Sequence, residues 1–227
     1  MARTLNREVH MVRRDAFVDA AQRLMQFRGW EQTSVQDVLD ELEASRGAFY
    51  HYFDSKQALL EAVIERMVEQ ALATVEPVVK DPELGAIQKL QGVFSTIGRW
   101  KTDRKQLVLS LLTVWMSDDN AIVREKFRRT MVRRMEPTLA PIIRQGIEEG
   151  VFQTASPDQT ARVFVMLLLG LQDVATEVFL DRQAGRIELA DVERTFASYA
   201  EAFERVLGAP AGSIKLIDRP VLRAWFG

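Results

Sequence analysis

The chain has 227 residues, 47 % of them hydrophobic, a net charge of −2 and no cysteine. That length allows one domain or two small ones and an apolar fraction of this size supports a core, which excludes a disordered chain. The lack of cysteine excludes thiol redox sensing, thiolate catalysis and cysteine-ligated metal in this sequence, and fits a cytoplasmic location.

Arg3, Arg7, Arg13 and Arg14 face only Glu8 in the first fourteen residues. This reads either as a basic arm ahead of the first helix, able to reach phosphates or a minor groove, or as a solvated tail. The first helix carries Phe17, Ala20, Ala21, Leu24 and Met25 on one face and stops at Gly29. Thr33-Ser34-Val35-Gln36 fits a capping box, with Thr33 as N-cap and Gln36 reaching back. Val35, Val38, Leu39 and Leu42 then mark the apolar face of a second helix. Glu43-Ala44 makes a tight turn, and Ser45 caps a third helix, Arg46 to Phe53. Phe49 and Phe53 share a face that suits a core. Gly47 and Ala48 leave the helix tip small, and Tyr50 and His51 point elsewhere with hydrogen-bonding groups. A helix that is small at its tip, apolar behind and polar at its flanks suits a DNA groove. Helix, short turn, helix is the helix-turn-helix layout. Net charge alone would not suggest DNA: residues 1–56 hold eight Lys/Arg against nine Asp/Glu.

From Asp54 onward nearly continuous helix is expected. Leu59, Leu60, Val63, Ile64, Met67, Val68, Ala71 and Leu72 follow helical spacing in a helix that links the two domains, broken by Pro77 and Pro82. Further helices are expected over 83–101, from Gln106 to Met116, and from Ala121 to Gly150, where Pro137 and Pro141 should kink the chain. Ser156-Pro157-Asp158 opens the next helix, to about Leu180, with proline at its first position. A last helix runs from Leu189 to Leu207. The tail from Ser213, with Ile214, Leu216, Ile217, Val221, Leu222, Trp225 and Phe226, is too apolar to be free and should pack on the body. The longest apolar run, Val163 to Leu171, is too short to span a bilayer, and residues 1–20 contain no apolar signal segment, so no membrane partner is expected.

The stretch from about Arg14 to Leu60 resembles the DNA-binding domain of the TetR family of bacterial transcription regulators. The matching residues are Ala20-Ala21, Gly29, Thr33-Ser34-Val35, Asp37-Val38, Ser45, Gly47, Phe49-Tyr50-His51-Tyr52-Phe53 and Ser55-Lys56. Beyond it the likeness lies in the helical layout and in local signatures such as Ile147-Glu148-Glu149-Gly150-Val151-Phe152. One departure is Glu43, where the family usually has glycine; if the turn needs a positive φ, glutamate is strained there by about 1 kcal/mol or more.

The resemblance implies an all-α protein with an N-terminal three-helix helix-turn-helix domain over residues 1–56. A larger C-terminal helical bundle for ligand binding and dimerisation then covers 57–227. It implies that Thr33 and Ser34 bind a phosphate through free N–H groups at a helix start. Ser45 caps the recognition helix, and Arg46, Gly47 and Ala48 lie at its groove-facing tip. Arg46 is the best placed to read guanine. Tyr50, His51 and Lys56 are expected on phosphates, with His51 also within reach of a base edge. The implied partners are double-stranded DNA, a second copy of the chain and a small-molecule effector.

Val192, Phe196, Tyr199, Phe203 and Val206 alternate four and three apart, the spacing of a helix–helix seam, and Val163, Phe164, Leu167, Leu168 and Leu171 form a second stripe. Each stripe is either core or, as the resemblance implies, half of a four-helix dimer interface. Phe94, Trp100, Trp115, Met116, Phe127, Met131, Met135, Phe164 and Met166 are either ordinary core or, in part, the lining of an adaptable ligand pocket. The basic run Arg124, Lys126, Arg128, Arg129, Arg133 and Arg134 reads as a solvated helix face. Asp173 and Glu177 stand four apart but no Glu-x-x-His motif accompanies them, and both histidines, His10 and His51, lie near the N-terminus. With no nucleophile–base pair, phosphate loop or metal cluster, no catalytic site, metal or cofactor is expected. The expected function is a DNA-binding regulator, most simply a repressor released from a palindromic operator by a small, largely apolar ligand. The alternative is a helix-turn-helix protein controlled by a protein partner.

Overall fold

The structure is a computed structural model. It describes residues 2–227, with side chains from His10 onward except that of Thr113. Ten α-helices and no strand occur among the described residues. In chain order they are α1 (Ala2–Arg28), α2 (Val35–Glu41), α3 (Arg46–Tyr50), α4 (Lys56–Lys80) and α5 (Ala86–Asp103), then α6 (Lys105–Met116), α7 (Ala121–Glu148), α8 (Pro157–Gln183), α9 (Leu189–Leu207) and α10 (Arg219–Phe226). They form two compact units. The first comprises residues 1–70 and 104–127, the second 71–103 and 128–227. The division falls inside α4, between α5 and α6, and inside α7, so α6 belongs with the helix-turn-helix.

In the first unit, α1 packs against α2 and α6. Its core is Phe17, Val18, Ala20, Ala21 and Met25 from α1, Val38 and Leu39 from α2, Phe49 from α3 and Phe53 just beyond, and Leu59, Leu60 and Val63 from α4, all buried. Phe17, Phe49 and Phe53 meet with ring centroids 5.6–6.2 Å apart, so one aromatic cluster fixes three elements around a small core. Arg66 of α4 ties back to α1, donating to the carboxylates of both Asp15 (2.7 Å) and Asp19. Gly29 ends α1 at φ +79°, the left-handed residue that stops a helix. The basic residues expected on an arm ahead of the first helix lie within α1 itself. The side chains of Arg3 and Arg7 are outside the described residues; Arg13 is exposed and Arg14 stands over the Phe53 ring at 5.3 Å.

In the second unit α8 pairs with α9, and α10 packs on α5 and α8. Its centre is an aromatic stack: Phe164 lies 4.4 Å from Phe203 and 6.2 Å from Phe94, centroid to centroid. Gly146 is required by close approach, since a Cβ there would sit 2.0 Å from the Phe152 ring. The apolar tail packs on the body as expected, and residues 219–226 of it form α10: Asp218 caps the helix, Trp225 Nε1 donates to Thr102 Oγ1 (2.9 Å) and Arg182 Nε to the Phe226 carbonyl (3.1 Å).

One expectation about proline is corrected. α4 continues through Pro77 to Lys80, because a proline in the last turn forfeits a single backbone bond that the flanking helix tolerates. Pro137 and Pro141 lie inside α7. The basic run on α7 is more engaged than a solvated face: Arg124 bonds the carbonyls of Trp115 and Ser117, Lys126 pairs with Glu61 (2.6 Å), and Arg128 pairs with Asp173. α8 is long and apolar enough, by length and composition, to cross a bilayer, which the count of consecutive apolar residues had excluded. Only 22 % of its most apolar 18-residue stretch is buried within the chain.

Candidate nucleic-acid interface

The start of α2 differs by one residue from the expected cap. Ser34, not Thr33, is the N-cap: its Oγ accepts from the Asp37 N–H (3.1 Å) and Asp37 Oδ2 accepts from the Ser34 N–H (2.7 Å). The box is therefore Ser34–Asp37, and Gln36 takes no part in it. Thr33 is buried, its hydroxyl donating to the Gly29 carbonyl at 2.8 Å. It thereby joins the end of α1 to the start of α2 and is withdrawn from the surface. The Asp37 carboxyl is held below its ordinary pKa, first by the hydrogen bond from the Ser34 side chain, then by the Ser34 backbone N–H and by Arg28. Ser34 itself is exposed.

Between α2 and α3 the chain reverses at Glu43, φ +49°, the only non-glycine residue at positive φ among those described. The Ala44 N–H bonds the Leu39 carbonyl (2.9 Å) and the Glu43 N–H the Asp40 carbonyl (3.4 Å). This 6→1 and 5→2 pair closes a helix on a left-handed residue, a position glycine normally fills. Glu43 thus has the conformation that was a concern from the sequence.

α3 is five residues long and capped by Ser45, whose Oγ accepts from the Ala48 N–H at 3.2 Å. Phe49 is fully buried, while Arg46, Gly47, Tyr50 and His51 are exposed and Ala48 is half-buried. Around Gly47 a Cβ would meet only the Ser45 hydroxyl, at 3.9 Å, so the tip is open to close approach. Arg46 Nη2 donates to Gln36 Oε1 (3.3 Å), which orients the guanidinium from α2. His51 meets the rings of His10 (5.3 Å) and Tyr52 (4.9 Å). Gln36 and His10 were not among the expected site residues. For His10 no sequence spacing could have signalled it, because α1 and α3 meet only through the fold. Lys56 is more committed than expected: Nζ donates to the Trp30 carbonyl (3.0 Å) and lies 4.6 Å from the centre of the Trp30 ring. Burial lowers its pKa, against the attraction of Glu31 and Asp37. Its remaining donors leave room for one phosphate contact.

The side chains expected around a ligand are divided between the two units. Trp115, Met116 and Phe127 belong to the first unit, where Trp115 and Phe127 meet edge to face at 4.9 Å. Phe94, Trp100, Met131, Met135, Phe164 and Met166 belong to the second. Phe164, Trp100 and Met135 are buried, and Phe94 and Met131 half-buried. Met116 and Met166 are corrected: at 55 % and 53 % exposure they face outward and cannot line an interior pocket of the chain. Met166 shares the outer face of α8 with Val163.

A capped helix, a left-handed turn and a short helix with a bare, polar outer face define a helix-turn-helix DNA-binding protein. The model of bacterial regulatory proteins of the tetR family matches residues 17–63, and the tetracyclin repressor-like C-terminal domain matches 112–186. The chain belongs to the TetR family of transcriptional regulators. It is 26 % identical over 135 residues to the transcriptional repressor DhaR of Mycobacterium sp. (strain GP1), covering 59 % of this chain and 67 % of that one. It is 24 % identical to the uncharacterized regulator YfiR of Bacillus subtilis (strain 168), covering 69 % and 77 %. A TetR transcription regulator from Haloarcula marismortui shares the fold with a TM-score of 0.61 at 17 % identity, over 87 % of this chain and 97 % of that one. RolR in complex with resorcinol does so with 0.60 at 17 %, over 96 % and 94 %.

Proposed function

We propose that the protein is a homodimeric repressor that binds a palindromic operator and is released from it by a small, largely apolar ligand held in the second unit. The observation that carries the reading is α3. Its one core residue, Phe49, is fully buried, and the exposed Arg46, Gly47 and Tyr50 form a small outer face open to another surface. Arg46 reads a base, and Ser34, Ser45, Tyr50, His51 and Lys56 position the helix on phosphates. Thr33 contributes through the backbone at the α2 start. Five residues read too few bases for useful specificity, so a second copy is needed. The outer face of α8, with Val163 and Met166 about half exposed and most of its apolar stretch uncovered, supplies the surface for that copy, with α9 beside it. Repression accords with the name of DhaR, and ligand control with the resorcinol complex of RolR.

The test is footprinting with selected genomic fragments, combined with sedimentation. Two half-sites about one helical turn or a multiple apart, and a dimer at micromolar concentration, are expected. A single asymmetric half-site bound at full affinity by a monomer would refute the reading. Ligand release is tested by calorimetry with and without operator, since linkage requires operator to weaken ligand binding by the same factor that ligand weakens DNA binding.

A further inference from the structure

One face of α1 changes character along its length. Residues 3, 7, 10, 14, 17 and 21 follow one another at alternating steps of four and three, a single stripe on a continuous helix. In the C-terminal half the stripe is core: Phe17 and Ala21 are buried, and Phe17 meets the Phe49 ring of α3 at 5.7 Å. Toward the N-terminus the same stripe turns basic, through Arg14 and His10 to Arg7 and Arg3. The contacts with α3 and the residues just after it continue across that change. Arg14 stands over the Phe53 ring, and His10 meets the rings of Tyr52 (4.6 Å) and His51 (5.3 Å). The face of α1 that seats Phe49 thus passes, without a break, onto the exposed end of the recognition helix.

The charge on this part of α1 is not spent within the fold. Arg13, one turn from His10, is exposed and makes no hydrogen bond or ion pair among the described residues. The acids that follow it on α1, Asp15 and Asp19, are both held by Arg66 of α4. Glu8 is the single acid among the first fourteen residues. From residue 14 back to residue 3 the helix rises about 16 Å. Duplex DNA presents a phosphate on each strand about every 3.4 Å of its axis, so a rise of that length can face several of them.

We propose that the N-terminal end of α1 is a second DNA-contacting surface. It is a cationic ridge of His10 and Arg13, with Arg3 and Arg7 beyond them, that lies beside the end of α3 and binds backbone phosphates next to those held by α3 and Lys56. It rests on the DNA-binding reading above and enlarges the site that reading describes. The ridge adds affinity and fixes orientation but no base preference, because phosphate contacts carry no sequence information directly. His10, through its ring contacts with His51 and Tyr52, joins the ridge to the recognition helix.

The test uses the full-length protein, an operator duplex from the genomic selection above and a random-sequence duplex of the same length. Wild type, Arg13→Gln, the triple variant Arg3→Gln/Arg7→Gln/Arg13→Gln and the triple variant Arg3→Lys/Arg7→Lys/Arg13→Lys are titrated across a salt series. The glutamine variants are expected to lose the same factor on both duplexes. Their slope of log affinity against log salt should flatten by about 0.9 for each arginine removed. The lysine triple keeps the wild-type slope, since counterion release depends on charge, and all four proteins unfold at the same Tm. An unchanged slope in the glutamine triple would overturn the ridge while binding through α3 stands. A loss confined to the operator would overturn it by showing that these residues read sequence. A lysine triple as weak as the glutamine triple, or a fall in Tm in step with affinity, would overturn it by showing a role other than charge. If wild type binds neither duplex, the ridge and the DNA-binding reading fall together.

Discussion

Replacing Glu43 by glycine should stabilise the protein. Glu43 sits at φ +49°, where a side chain crowds the following carbonyl at a cost of about 1–2 kcal/mol. Glycine removes that cost but adds about 0.5–1 kcal/mol of unfolded-chain entropy. The net gain is about 0.7 kcal/mol, or a rise of about 2 °C in Tm for a chain of this size. The control is Glu43→Ala, which removes the same carboxylate but keeps the Cβ, so only the glycine variant relieves the backbone. Thermal unfolding of the three proteins at one concentration reads the difference. Equal shifts for alanine and glycine would show that the charge, not the backbone, matters at this turn. A lower Tm for glycine would refute the strain argument outright.

Three further outcomes follow from the same structure. Arg46→Ala should relax preference at one base position, at a cost of about 1–3 kcal/mol, whereas Lys56→Gln should weaken binding to every sequence and flatten the salt slope by about one unit; equal losses on cognate and random DNA for both would show Arg46 misassigned. Ser34→Ala should cost about 1 kcal/mol of stability through the lost cap, read by urea denaturation. Phe203→Ala, at a fully buried ring against Phe164, should cost about 3–5 kcal/mol; a cost under about 1 kcal/mol would mean that the stack is not the centre of the second unit.

The helices were legible because periodicity and breakers are local. α9 runs from Leu189 to Leu207 as its seam spacing indicated, and α6 ends at Met116 as expected. The α2 cap was ambiguous for a physical reason. Thr33-Ser34-Val35-Gln36-Asp37 holds two overlapping boxes, and what decides between them is that the Thr33 hydroxyl is needed by the Gly29 carbonyl. That is a tertiary fact. Ser45, Arg46, Gly47 and Tyr50 could be placed from sequence because a five-residue helix has few ways to bury one phenylalanine. The ligand residues could not: aromatic and methionine side chains mark an apolar face, but not which compact unit it serves, and Trp115 and Trp100 fall in different ones.

The division of labour within α3 has a bearing on how such a protein changes over time. Phe49 holds the helix in place, while Arg46, Gly47 and Tyr50 are exposed, Tyr50 edging against the Phe49 ring at 5.3 Å and Arg46 bonding Gln36. Substitutions at these exposed positions, Arg46 and Gly47 above all, therefore cost folding little. A duplicated gene could acquire a new operator before its effector site has altered, or the reverse. The same independence makes α3 a practical place to randomise when a regulator with an existing sensor is to be pointed at a different promoter.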